Sequence, residues 1–134
     1  MTIGHLCFIL KPAGFGLLTM MTQAKTNNIN LSNLLFICSK NQWRSPTAEL
    51  LFKDHPLHIA RSAGTSDKAR IKVNQKLIDW ADVIYFMERR HRDIVTQHFS
   101  LEGQKLVVLD IEDNYQFGDE ELIAILKPCL SDYL

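Results

Sequence analysis

The segment Asn33-Leu34-Leu35-Phe36-Ile37-Cys38-Ser39-Lys40-Asn41-Gln42-Trp43-Arg44-Ser45-Pro46 joins an apolar run to a polar loop and a helix start. Its first part, 34–37, is apolar at every position, which is typical of a strand buried on both faces and therefore of a parallel sheet. Cys38 follows this strand directly. Because ligands of open α/β sheets bind beyond the carboxyl ends of the strands, the position of Cys38 predicts a functional site.

The end of the segment predicts a helix. Ser45 is a favoured N-cap residue and Pro46 is favoured at the first helical position. Glu49 would then lie in the first turn, where the helix dipole favours an acid. We expect this helix to run toward Asp54 and to end before Pro56.

The five residues between Cys38 and Arg44 suit an anion-binding loop. Successive backbone N–H groups that close on a helix N-terminus form a concavity for a tetrahedral oxyanion. Helix N-termini and arginine also favour the thiolate form of a cysteine, and Arg44 can bind two phosphate oxygens at once. Asn41 tolerates the left-handed conformation of a tight loop. The alternative is that Cys38 is simply a buried strand residue.

Length and composition indicate one α/β domain. The chain has 134 residues and equal numbers of basic and acidic side chains, 15 each, which gives no electrostatic argument for nucleic acid or a membrane as partner. Its three cysteines leave an odd thiol, so we expect a reducing compartment and a cytoplasmic protein. No histidine has metal-ligand spacing, and we expect no metal and no cofactor.

Residues 1–32 differ from the rest of the chain. Their apolar run, 3–10, is interrupted by Lys11 and Pro12 well short of the ~20 residues that a membrane-spanning helix needs. We expect a poorly ordered N-terminal extension or an artefact of start-site choice, followed by one domain over 33–134.

Further apolar runs predict strands over 57–63, 83–87 and 106–109, each separated by a helical pattern. We expect Ile94 and Val95 on the inner face of the third helix, and Cys129 in the core. Strands that alternate with helices imply a parallel sheet with helices on both faces. The basic run 89–92 is interpreted as an exposed helix face, or as a patch that attracts phosphorylated partners.

Cys38-x5-Arg44-Ser45, with Asn41 inside the loop, resembles the phosphate-binding loop of the low-molecular-weight protein tyrosine phosphatases. The segments 62–66 and 111–115 resemble that family's second strand and acid-bearing loop. The likeness covers roughly residues 33 to 131 and is greatest to the short, predicted tyrosine phosphatase branch. Three positions differ, since the family often has glycine at Lys40, cysteine at Trp43 and proline at Asn114.

The resemblance implies a three-layer αβα fold with a four-stranded parallel sheet in the order 2-1-3-4 and a C-terminal helix. It implies Cys38 as nucleophile, Asp113 as general acid and Ser45 as a hydrogen-bond partner of the thiolate. Asp110 is the alternative acid. The expected phosphate-binding residues are Ser39, Lys40, Asn41, Gln42, Trp43 and Arg44. Trp43 and Tyr115, with Phe117, are expected to flank a slot for an aromatic ring, or else to be packing residues.

The implied function is phosphomonoester hydrolysis, and in particular the hydrolysis of phosphotyrosine in proteins, through a cysteinyl-phosphate. A phosphorylated protein or a small aryl phosphate would be the substrate, and inorganic phosphate or sulfate would bind in the loop. Two alternatives share this loop: a thiol-dependent arsenate reductase, which needs Cys7 or Cys129 near Cys38, and a module that binds phosphorylated ligands without turnover. The sequence does not indicate an oligomeric state.

Overall fold

A computed structural model describes residues 31–134 and contains a four-stranded parallel sheet. The strands are β1 (Ser32–Cys38), β2 (His58–Gly64), β3 (Val83–Phe86) and β4 (Lys105–Val108). Their order in the sheet is β2-β1-β3-β4, as predicted. The predicted N-terminal extension lies outside the described residues except for its last two, and the second of these, Ser32, already pairs with His58 in the sheet.

Four helices connect or follow the strands. They are α1 (Arg44–Leu50), α2 (Gln75–Trp80), α3 (Arg89–His98) and α4 (Glu120–Cys129). Side chains fix three of their N-termini: Asn74 caps α2, Asp119 caps α4, and Glu88 forms a capping box with His91 at α3. These caps satisfy backbone N–H groups that have no partner inside a helix.

Alternate residues of β1 enter two separate cores, which makes the fold three-layered. Leu34, Phe36 and Cys38 point to the face that α1 and α4 cover. Leu35 and Ile37 point to the face that α2 and α3 cover. Because both faces are buried, every central position of the strand is apolar, which is why its sequence shows no alternation. The fold is therefore the predicted αβα arrangement.

The predicted start and end of the first helix are wrong. Trp43 is the N-cap, since its carbonyl oxygen accepts the first helical hydrogen bond from Thr47 N at 3.1 Å. Ser45 and Pro46 are consequently the second and third helical residues, and Glu49 lies beyond the first turn. The Ser45 hydroxyl bonds to Cys38 instead of capping the helix. The helix also ends at Leu50, well before Pro56.

Two predictions about inward-facing residues also need correction. Val95 is fully buried, but Ile94 is 37% exposed. The second inward-facing residue of α3 is instead His91, which is fully buried although it lies in the basic run that was interpreted as exposed. Cys129 is only half-buried at the edge of the α1/α4 core. No helix among residues 31–134 is long and apolar enough to cross a membrane.

Candidate active site

The loop of residues 38–45, here called the Cys38 loop, lies at the carboxyl edge of the sheet between β1 and α1. Asn41 takes a φ of 56°, the left-handed conformation expected for this position. Four side chains of the Cys38 loop are at least 97% buried: Cys38, Asn41, Arg44 and Ser45. Buried polar groups usually have hydrogen-bond partners, and among these side chains the exception is Asn41 Oδ1, which has none among the described residues.

The Cys38 sulfur is held by hydrogen bonds from inside the loop. The Asn41 backbone N–H donates to it over 3.3 Å, and the Ser45 hydroxyl lies 3.0 Å away. The next acceptor available to that hydroxyl, the carbonyl oxygen of Ala63, is farther, at 3.5 Å. The sulfur is thus placed as an acceptor, which suits the thiolate form.

A chain of hydrogen bonds sets the direction of the Ser45 proton. Ser62 Oγ donates to the Glu49 side chain, because a carboxylate only accepts. Asn41 Nδ2 donates to Ser62 Oγ at 2.8 Å and to Ser45 Oγ at 3.0 Å. With its oxygen already accepting, Ser45 can direct its own proton at the Cys38 sulfur. The partners of Ser62 in this chain of hydrogen bonds are 13 and 21 residues away along the sequence.

Segment 64–70 fixes the backbone of the Cys38 loop. The amides of Thr65 and Ser66 donate to the carbonyl oxygens of residues 38 and 39. The backbone N–H of Arg70 donates to the carbonyl oxygen of residue 40, and its Nε–H donates to that of residue 41. Gly64 permits this contact, because an added Cβ would collide with the carbonyl oxygen of residue 39. The loop is therefore shaped by tertiary contacts as well as by its own sequence.

Arg44 is 2% exposed and projects into the same edge of the sheet. Its Nη1 donates to the carbonyl oxygen of Ile111 at 2.7 Å and lies 3.4 Å from Glu88 Oε1. Its Nε lies 3.5 Å from Asp113 Oδ1. A buried guanidinium needs such partners to offset its lost hydration. These contacts also fix the direction in which the planar fork points.

Glu88 and His91 shape the electrostatics behind Arg44. Burial raises the pKa of Glu88, but the hydrogen bond from Arg90 and the charge of Arg44 outweigh it and lower the pKa below its ordinary value. Burial, together with the charges of Arg44 and Arg90, lowers the pKa of His91 to about 4. At neutral pH the site thus holds an ionised Glu88 and a neutral His91.

A cleft of about 490 Å³ opens above Cys38. Trp43 and Ile94 contribute apolar surface to its wall, and Lys40 and Arg90 contribute cations. The wall residues are Cys38, Ser39, Lys40, Gln42, Trp43, Arg44, Thr65, Ser66, Arg90, Ile94 and Asp113. Tyr115 and Phe117 do not line this cleft. Tyr115 packs against the α1/α4 core, and Phe117 lines a separate groove of about 600 Å³ between α1 and the edge strand β2.

The two candidate acids occupy different places. Asp113 lines the cleft beside Arg44, and its side chain is 52% exposed. Asp110, which adopts a φ of 55° after β4, is exposed and is not part of the cleft wall. Only Asp113 therefore faces the space above the Cys38 sulfur.

The described cysteines, Cys38 and Cys129, form no disulfide. Cys129 is four residues from Tyr133, whose ring packs edge-on against His58 at the first position of β2. Cys38 ends the adjacent parallel strand, so Cys129 lies toward the opposite end of the sheet. Cys7, the other possible partner for an arsenate reductase, lies outside the described residues. Across residues 31–134, no group of three His, Cys, Asp or Glu side chains is placed to hold a metal ion.

Fold and site together define an α/β protein with a Cys-x5-Arg loop at the carboxyl edge of a 2-1-3-4 parallel sheet. This is the fold of the low-molecular-weight protein tyrosine phosphatases, which many solved structures share with the chain. No protein-family model matches the sequence, and no curated protein matches it closely enough to count as a relative.

Three solved structures illustrate the likeness. The phosphotyrosine phosphatase VcLMWPTP-2 of Vibrio cholerae superposes with a TM-score of 0.60 at 23% identity, covering 75% of this chain and 95% of its own. SP-PTP of Streptococcus pyogenes gives 0.61 at 19% identity, covering 78% and 94%. A YwlE mutant of Bacillus subtilis gives 0.58 at 22% identity, covering 75% and 97%. Another YwlE structure is described as an arginine phosphatase with a phosphorylated active-site serine.

Proposed function

We propose that this protein is a cysteine-dependent phosphomonoester hydrolase. The observation that carries the proposal is the Cys38 sulfur, which accepts hydrogen bonds from Asn41 N and Ser45 Oγ at the floor of a cleft beside the buried Arg44. A sulfur held in this way is poised as a nucleophile, and the guanidinium beside it suits a phosphoryl group. The fold shared with low-molecular-weight phosphatases supports the same conclusion.

In the first step, the Cys38 thiolate attacks phosphorus in line with the leaving oxygen. An S–P bond forms as the P–O bond breaks, giving a cysteinyl-phosphate. Arg44 and backbone N–H groups of the Cys38 loop stabilise the equatorial oxygens, which carry the developing charge. Asp113, at the cleft wall, gives its proton to the departing oxygen.

In the second step, water attacks phosphorus and the S–P bond breaks. Asp113 now takes a proton from the water as the new P–O bond forms, so that phosphate leaves and the thiolate returns. The Ser45 hydroxyl, 3.0 Å from the sulfur, stabilises the thiolate as it departs. Its orientation by Asn41 and Ser62 means that this donor is in place before the reaction begins.

Phosphotyrosine is the substrate class that the cleft favours. Trp43 and Ile94 offer apolar surface to a planar ring. Tyr115 does not line the cleft, so it is not part of the proposed binding site for that ring. Lys40 and Arg90 at the wall disfavour a cationic leaving group such as the guanidinium released from phosphoarginine. A phosphorylated protein is the proposed partner, with small aryl phosphates as surrogates.

The reaction requires a reduced Cys38, which supports the cytoplasm as the working compartment. The catalytic domain is proposed to span residues 33–134, preceded by an extension over 1–32 whose last residue, Ser32, already belongs to β1. No metal and no cofactor takes part in the proposed steps.

The test is phosphate release from an aryl phosphate by the full chain. We expect steady-state turnover that Cys38→Ser abolishes while inorganic phosphate still binds. Cys129→Ser, a matched substitution at the other described cysteine, should keep wild-type turnover. Phosphate binding without release would identify a binding module instead. Faster release of phosphate from a phosphoarginine peptide than from a phosphotyrosine peptide would overturn phosphotyrosine as the substrate class. It would not contradict Cys38 as the nucleophile.

A further inference from the structure

His91 is fully buried in the first turn of α3, yet both of its ring nitrogens have partners. Nδ1 accepts the backbone N–H of Glu88 at 3.1 Å. Nε2 lies 2.9 Å from the hydroxyl oxygen of Ser39, a residue of the Cys38 loop that lines the cleft. The ring therefore links the start of α3 to the loop 52 residues earlier in the chain.

The first of these bonds determines where the ring carries its proton. An Nδ1 that accepts a backbone N–H cannot itself be protonated, so the proton of the neutral imidazole lies on Nε2. Nε2–H then donates to Ser39 Oγ. Because the Ser39 oxygen accepts this bond, the hydroxyl proton must point away from His91.

We propose that His91 is a positioning residue that turns the Ser39 hydroxyl into a hydrogen-bond donor for an oxygen of the phosphoryl group bound in the cleft. The inference rests on the proposed function and adds the Ser39 hydroxyl to the hydrogen-bond donors that bind the phosphoryl group. Serine can both donate and accept, and a fixed histidine removes that ambiguity before the anion arrives.

The surroundings of His91 keep the ring in the required form. Burial and the two neighbouring arginines, Arg44 and Arg90, lower its pKa to about 4, so that the ring stays neutral at physiological pH. Glu88, whose N–H fixes Nδ1, also contacts Arg44 through its carboxylate. The start of α3 thus orients both Ser39, through His91, and Arg44, through Glu88, and these two residues line the cleft.

Isothermal titration of inorganic phosphate into the full chain tests the proposal. Ser39→Ala should raise the dissociation constant about tenfold, the usual loss for one hydrogen bond to a charged group. His91→Asn should cause the same loss, because an asparagine amide can replace Nδ1 toward Glu88 but is too short to reach Ser39. His91→Gln, whose amide reaches the position of Nε2, should stay within about twofold of wild type.

The double variant Ser39→Ala/His91→Asn distinguishes positioning from a structural role. If His91 acts through Ser39, the double variant binds phosphate no more weakly than either single variant. His98→Asn, at the exposed end of the same helix, is the matched control and should bind like wild type. Multiplicative losses in the double variant, or wild-type affinity in Ser39→Ala, would overturn the inference alone. Absence of phosphate binding by the wild type would overturn the proposed function with it.

Nitrogen NMR of the unsubstituted protein supplies a measurement that does not depend on a variant folding. We expect the neutral Nε2–H form of His91 near neutral pH, and a shift of its Nε2–H resonance when phosphate is added. The Nδ1–H form, or a resonance that phosphate leaves unchanged, would contradict the proposal.

Discussion

Mild acidification should destabilise this protein through His91. Burial, with the charges of Arg44 and Arg90, lowers the pKa of this side chain from 6.5 to about 4. Between those two values the unfolded chain binds a proton at His91 that the folded chain does not. The free energy of unfolding therefore falls as the pH falls from 6.5 to about 4. The stability that depends on a neutral His91 ring is fully present only above this range.

The size of the effect follows from the separation of the two values. A difference of about 2.5 pKa units, at about 1.4 kcal/mol each, gives a total loss of about 3 kcal/mol once the pH is below both values. At about pH 5 the loss is about 2 kcal/mol, because the folded ring is still mostly neutral there. Against a typical stability of about 5–15 kcal/mol, this is easily measured.

Urea denaturation of the wild type and of His91→Gln at about pH 7.5 and about pH 5 gives the comparison. Glutamine does not titrate, so the wild type should lose about 2 kcal/mol more than the variant on acidification. His58, whose pKa is lowered by burial and by His55, contributes to both proteins and cancels in the difference. His98→Asn should lose as much as the wild type. Equal losses in the wild type and His91→Gln would refute the reasoning.

Three further substitutions test the site. Gly64→Ala should lower the free energy of unfolding by about 1–3 kcal/mol and weaken phosphate binding, since its Cβ would collide with the carbonyl oxygen of Ser39. Urea denaturation and phosphate titration measure this, and unchanged affinity would contradict it. Asp113→Asn should slow aryl phosphates with poor leaving groups by about a hundredfold and activated ones less, whereas Asp110→Asn should slow neither. An equal loss of rate for all leaving groups in Asp113→Asn would show that another residue is the general acid. Arg44→Lys keeps the charge but loses the planar fork, so phosphate titration should show affinity at least about tenfold weaker, and wild-type affinity would count against a bidentate role.

Most of the sheet could be predicted from the sequence, because strands buried on both faces leave continuous apolar runs. The four predicted strands match the observed ones to within one or two residues. The start of α1 could not be predicted in the same way. Ser45 and Pro46 carry strong local signals for a helix N-terminus, but the hydroxyl of Ser45 bonds to Cys38 and the helix begins at Arg44, two residues before the predicted start.

Polar residues that face inward were the hardest to predict. His91 lies in a run of charged side chains, and nothing nearby in the sequence signals that it is buried against Ser39. Ser62 likewise lies in a predicted strand, and nothing nearby in the sequence signals its hydrogen bonds to Asn41 and Glu49. An apolar periodicity predicts burial only for apolar side chains, whereas a buried polar group depends on a partner that can lie anywhere in the chain.

By itself, the sequence determined the parallel α/β class and the loop in which Cys38, Asn41 and Arg44 stand at fixed spacing. Those features depend on residues close together in the chain, where periodicity and backbone preference act. Only the tertiary structure decided which aspartate faces the cleft, that Tyr115 does not line the cleft, and which side chains the hydroxyls of Ser45 and Ser39 contact. Such choices depend on hydrogen bonds between distant segments, and these exist only once the chain has folded.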